Sequence, residues 1–238
     1  TLTVLFPKRD FDNRAEAEKI LREIAKPEGL LLGAYAPNKS YSGKTVAEIA
    51  KERNEAPAVT LMTLIRDAEA MRAAREKSGT DDGETVENVV ATSMDERDIS
   101  TLLAWEHTNV CSDGGLNGAH PRGYGAFPRV LGKYIRDEKV MSLEEGIRKM
   151  TSLSAQHVGL TRRGTLAPGQ YADLVLFDPN TVADRATTRE PHLTAMGIAR
   201  VWVNGREVWR DGKGTGARPG AAIRRQGQRP DAPPPEPR

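Results

Sequence analysis

The chain of 238 residues has one cysteine, four histidines and few aromatic residues: four Phe, five Tyr and three Trp. The lone Cys111 excludes an internal disulfide framework, and no cysteine pair suggests a zinc finger. No two histidines show the H-x-H or H-x-x-x-H spacing that holds a metal. No apolar run approaches the ~18 residues of a membrane helix. The first residues show no basic segment followed by an apolar one, and the chain begins at Thr1 rather than Met. The expected location is the cytoplasm, with the native N-terminus not seen. A single-signed charge excess is missing too, since the formal net charge is only +2. From Gly214 onward, Arg218, Arg224, Arg225, Arg229 and Arg238 face only Asp231 and Glu236. The basic excess therefore sits in a Pro-, Gln- and Gly-rich tail, read as solvated, and nucleic acid and membrane are not expected partners.

What is present divides into three patterns. Leu2 to Phe6 reads as a short strand stopped by Pro7. Ala15 to Lys26 reads as an amphipathic helix, with Ala17, Ile20, Leu21 and Ile24 on one face. Leu30 to Tyr35 reads as a strand. Thr45 with Glu48 forms a capping box, and a second helix is expected over Val59 to Glu76. A loop is expected over Ser78 to Gly83.

The middle of the chain reads as α/β with parallel strands. Val89 to Ala91 reads as a short buried strand, and Asn109 to Cys111 as a second short strand. Ser93 with Glu96 predicts a helix through Trp105. A polar, Gly-rich loop follows to Gly125, and helices are expected over Pro128 to Arg136 and from Ser142 to Gln156. From Gly164 the pattern becomes antiparallel. Ala172 to Phe177, Ile198 to Val203 and Arg206 to Arg210 read as strands. Asn204-Gly205 supplies a two-residue hairpin turn, because both residues accept positive φ.

Asp113 is the leading candidate for chemistry. It follows a short apolar run and precedes Gly114 and Gly115, which let a ligand approach the backbone. Two readings stand on the residues alone: a turn aspartate accepting backbone N–H bonds, or a catalytic carboxylate at a strand's C-terminal end. His120, Arg122 and Tyr124 share one Gly-rich loop. They either bind an anionic substrate, with Arg122 on a carboxylate, or merely pack there. His107 and His157 read as helix-end residues, and Cys111 as a buried strand residue.

Together these segments resemble the C-terminal half of the N-acyl-D-amino-acid deacylases (D-aminoacylases) of the metal-dependent amidohydrolase superfamily. Cys111-Ser112-Asp113-Gly114 resembles the end of the last barrel strand. The run from His120 through Pro121-Arg122-Gly123-Tyr124-Gly125 to Gly132 is similar to the family's long motif after that strand. Gly164-x-Leu166-x-x-Gly169-x-x-Ala172-Asp173-Leu174-Val175 resembles the superfamily's return into its β-sandwich. Gly43 to Ala50 resembles part of a helical insertion.

The resemblance implies an α/β fold: the C-terminal part of a (β/α)8 barrel with a helical insertion, plus a small antiparallel β-sandwich. The implied divisions are 1–88 for the insertion-like region, 89–159 for the last strand–helix units, 160–220 for the sandwich and 221–238 for a disordered tail. It implies zinc-dependent hydrolysis of the amide in an N-acyl-D-amino acid, with Asp113 as catalytic residue and as the one metal ligand offered here. His120, Arg122 and Tyr124 become substrate-binding residues, and Asp173 a structural one. The family's other metal ligands would lie upstream of Thr1. A complete barrel alone takes about 250 residues, so the chain is expected to be a fragment, inactive alone. The competing expectations are a dihydroorotase- or hydantoinase-like cyclic amidase and a non-catalytic barrel remnant serving as an interaction module.

Overall fold

The Thr45 hydroxyl accepts from the Glu48 amide at 3.1 Å, and the Glu48 carboxylate accepts from the Thr45 amide at 2.7 Å. This capping box opens α2 (Val46–Arg53) in the computed structural model. The structure describes residues 2–6, 8–79, 85–92, 94–115 and 120–223. Ser93, the residues after Gly79 where a loop was expected, and the tail from Arg224 lie outside them. The chain forms two units. One draws on Thr1–Glu96, Gly114–Gly123 and Ala186–His192, and the other on Arg97–Asp113, Tyr124–Arg185 and Leu193–Arg238.

In the first unit, Asn13 caps α1 (Arg14–Glu23) by accepting from the Glu16 amide at 3.0 Å. Ala17, Ile20 and Leu21 are buried as expected, but Ile24 is 53% exposed. Ile24 is the C-cap, where the chain turns towards Pro27 and leaves the helical stripe. The longest helix, α3 (Pro57–Ser78), starts on a proline, whose missing N–H is harmless in the first turn. It ends at Gly79 with φ 66° and so includes Ser78, which was expected in a loop. Leu2–Leu5 is a 3-10 turn rather than a strand. The Phe6 amide closes it onto the Thr3 carbonyl at 3.1 Å, and Leu2 and Phe6 both enter the core of α1 and α3.

This unit's sheet is antiparallel, which corrects the parallel reading. β1 (Leu30–Tyr35) pairs with β2 (Glu87–Ala91) from Leu30↔Ala91 to Tyr35↔Glu87, with a bulge between Leu32 and Ala34. Buried Glu87 anchors the far end. Its Oε1 accepts from the Leu2 amide at 2.8 Å and from Arg72 of α3 at 2.9 Å. That fixes the start of β2 opposite Tyr35, whose hydroxyl donates to the Leu64 carbonyl at 2.9 Å.

In the second unit, α4 (Glu96–Ala104) stops one residue before Trp105. Asn109 to Cys111 form no strand, and the chain runs without regular structure to Gly115. Helix α5 (Arg122–Arg129) begins inside the segment expected to be a loop and carries Pro128 in its interior. Pro128 has no N–H for the preceding turn, and from Val130 the winding widens into a π-helix, Val130–Asp137. Its Val130, Leu131, Tyr134 and Ile135 pack with Leu103 and Val182.

The single helix expected from Ser142 to Gln156 is two, α6 (Leu143–Met150) and α7 (Ser152–Val158). Side-chain hydroxyls explain the break at Thr151. Thr151 Oγ1 donates to the Ile147 carbonyl at 2.6 Å, and Ser154 Oγ to the Lys149 carbonyl at 2.8 Å. Both compete for acceptors of the helical ladder.

The rest of this unit is a four-stranded antiparallel sheet in the order β3 (Leu174–Phe177), β4 (Ile198–Val203), β5 (Arg206–Arg210), β6 (Lys213–Gly214). Asn204 and Gly205 turn between β4 and β5 with φ 49° and 76°. β3 starts later than expected because Asp173 is turned aside to cap that hairpin. Among the described residues, no helix is long and apolar enough to cross a membrane.

Candidate active site

Asp113 adopts φ 46°, in the left-handed region, and is exposed. Aspartate is one of the few side chains that tolerates this conformation. Gly114 and Gly115 follow. Because 109–111 is not a strand, Asp113 does not stand at a strand's C-terminal end, and Cys111, expected to be buried, is exposed. A three-residue run needs a paired neighbour to become a strand, and here the Val110 amide is bound to the Lys149 carbonyl instead.

The approach to Asp113 is held by α6 and α7. Lys149, fully buried, donates from Nζ to the Leu103 carbonyl at 2.7 Å and to that of Trp105. Arg148 Nη2 donates to the Glu106 carbonyl at 2.8 Å. The Val110 amide donates to the Lys149 carbonyl at 3.3 Å. His157 Nδ1 lies 3.1 Å from Asn109 Oδ1. His157 is thus a helix-end residue as expected. His107, also expected at a helix end, lies three residues past the end of α4 in a turn, its ring edge-on to Trp105 at 5.3 Å.

His120 Nδ1 accepts from the Arg122 amide at 3.1 Å, which ties the histidine to the start of α5. Arg122 and Tyr124 are helical residues, not loop residues. Two positions apart on a helix, they do not share a face. His120 and Arg122 belong to the first unit, and Asp113 and Tyr124 to the second.

Among the described residues, no group of three or more His, Cys, Asp or Glu is placed to hold a metal ion. Asp173 has the structural position expected of it. Burial pushes its carboxyl up, but the Asn204 amide and the Arg163 guanidinium outweigh that and hold it below the usual range.

Sequence reasoning missed Lys149. Its signal was a lysine three residues after Gly146 on the buried face of α6, a position where an apolar residue is the ordinary choice.

Residues 106–209 match the family model described as Amidohydrolase family. Two curated relatives come from Alcaligenes xylosoxydans xylosoxydans. One, an N-acyl-D-aspartate deacylase, is 47% identical over 133 residues, which is 55% of this chain and 26% of that protein. The other, a D-aminoacylase, is 47% identical over 134 residues, 56% of this chain and 28% of that protein. The fold is similar to the N-acyl-D-glutamate deacylase of Bordetella bronchiseptica, with a TM-score of 0.66 and 33% identity. That match covers 84% of this chain and 37% of the other, whose structure holds zinc and a phosphonate mimic of the tetrahedral intermediate. The chain thus spans little more than a quarter of the length of these two curated relatives.

Proposed function

We propose that this chain carries the C-terminal part of a zinc-dependent enzyme that hydrolyses the amide bond of N-acyl-D-amino acids. The observation that carries the reading is the 47% identity to two deacylases across more than half of the chain. In this reading residues 1–88 are the insertion-like helical region of the barrel domain, 89–159 its last strand–helix units, and 160–220 a small β-sandwich domain. Zinc is the cofactor of the whole enzyme, and the described residues of this chain do not build its site.

Asp113 is the proton-transfer group. Its carboxylate takes the proton of the attacking water as oxygen adds to the amide carbon. It returns that proton to the nitrogen as the C–N bond breaks, leaving a carboxylic acid and a free D-amino acid. One carboxylate serves both steps, first as base and then as acid. The exposed, left-handed Asp113 beside two glycines supports this assignment, because such positions bring a side chain and a ligand close to bare backbone. Arg122 is assigned to the substrate carboxylate, and His120 and Tyr124 are assigned as further substrate-binding residues.

The test is Asp113→Asn in the whole natural enzyme loaded with zinc. Asparagine keeps the shape and loses the proton acceptor. Zinc content should hold, and kcat should fall by about 10²–10⁴-fold. A kcat within about threefold of wild type would show that Asp113 is not the proton-transfer group.

A further inference from the structure

Lys149 lies on the buried side of α6 with a side-chain exposure of 0%. Its Nζ donates to the carbonyls of Leu103 and Trp105, with Glu145 Oε1 3.7 Å away. These carbonyls belong to the end of α4, where a helix leaves its last acceptors without partners. The carbonyl of the same lysine accepts the Val110 amide and the Ser154 hydroxyl. One residue therefore grips the chain on both sides of Glu106–Asn109. Arg148 holds the Glu106 carbonyl between those grips, and His157 holds the Asn109 side chain. The last backbone grip, at Val110, stands three residues before Asp113. No strand ladder supports 109–111, so the Lys149 carbonyl of α6 and the His157 side chain of α7 take over that work.

Burying an amine is a poor way to fill space, because its desolvation offsets much of what its hydrogen bonds gain. An apolar side chain of the same length would pack as well. What the amine adds is direction: two carbonyls aimed at one point, with the following backbone held to the same residue. Groups that do chemistry need such support from neighbours that touch no substrate.

We propose that Lys149 is a positioning residue for Asp113, fixing the path of residues 103–110 so that the carboxylate stands where proton transfer requires it. This rests on the reading of Asp113 as the proton-transfer group. The test measures kcat and KM on N-acetyl-D-methionine for the whole natural enzyme, Lys149→Met, Asp113→Asn and the double variant. Displacement of a reacting group by about 1 Å costs up to about 10²-fold, so Lys149→Met should lower kcat about 10- to 100-fold and leave KM within about threefold. In the Asp113→Asn background the same substitution should cost almost nothing more, since residues acting through one group are not additive. An equal loss in both backgrounds, or no loss of kcat, would overturn the proposal. Full activity of Asp113→Asn alone would instead remove the reading on which it rests, and the proposal with it. If Lys149→Met does not fold, His157→Ala serves at an exposed position of the same clamp. It should lower kcat about two- to fivefold in the wild-type background only, and no change in kcat would count against the clamp.

Discussion

The backbone amide of Asn204 donates to Asp173 Oδ1 at 2.8 Å. The two residues are 31 positions apart, and the bond joins the turn of the β4–β5 hairpin to the residue preceding β3. Arg163 completes the arrangement. It pairs with the Asp173 carboxylate, donates to Asn204 Oδ1 at 2.7 Å and stacks over Tyr171 at 4.2 Å. The most recognisable motif of the chain, Ala172-Asp173-Leu174, is therefore a strut of the sheet.

Asp173→Ala should destabilise the fold by about 1–3 kcal/mol, because the Asn204 amide and Arg163 lose their acceptor. Urea unfolding measures it. In the whole enzyme at moderate temperature, kcat should stay within about twofold, whereas a loss of catalytic rate near that of Asp113→Asn would assign Asp173 to the chemistry.

The same carboxylate gives a pH dependence. Its folded pKa lies below the unfolded value, so the unfolded state binds more protons as pH falls. Its stabilisation is present above the ordinary aspartate pKa of about 4 and is lost as pH drops through the lower folded value. The urea midpoint of the wild type should therefore decline on the acid side, and Asp173→Asn should flatten that decline. An identical slope in the variant would show that Asp173 plays no part in acid lability.

Two glycines separate backbone strain from crowding. Gly197 and Gly212 have φ 77° and 85°. A Cβ at Gly197 would meet the Val182 backbone N and Cα at 2.5 Å, while one at Gly212 meets nothing within 4 Å. Gly212→Ala should cost about 1–2 kcal/mol, and Gly197→Ala about 2–5 kcal/mol, since backbone must also shift. Equal losses in thermal melts would mean that φ alone sets the cost.

The chain by itself, purified and dialysed, should retain less than one zinc per molecule by elemental analysis. A catalytic zinc needs about three protein ligands, and the described residues bring no three donors together. Stoichiometric zinc held through dialysis would place a metal site within this chain.

How far the fold could be read depended on how local its causes are. Asn204-Gly205 dictates its own turn, and β4 and β5 stand with the bounds read from the residues. Thr45 and Glu48 need only each other, and their capping box is present. The strand expected over Asn109 to Cys111 depended on a neighbour that the residues themselves do not name, and Lys149 and His157 bind that stretch instead. The helix expected from Pro128 begins earlier, at Arg122, and Pro128 lies inside it. Asp113 stood out in the sequence, but the hydrogen bonds between Lys149 and the stretch ahead of it, at Leu103, Trp105 and Val110, did not.

The two sheets differ in how far the chain must travel to close them. β4 and β5 meet across two residues, and hairpins of that kind form in about 1–10 μs. β1 and β2 meet only after α2 and α3 have been laid down between them, so their pairing must first overcome a long loop-closure entropy. The hairpin should thus be among the first parts to gain hydrogen-exchange protection during refolding. The strand pair anchored by Glu87 should follow only once Arg72 arrives on the completed α3.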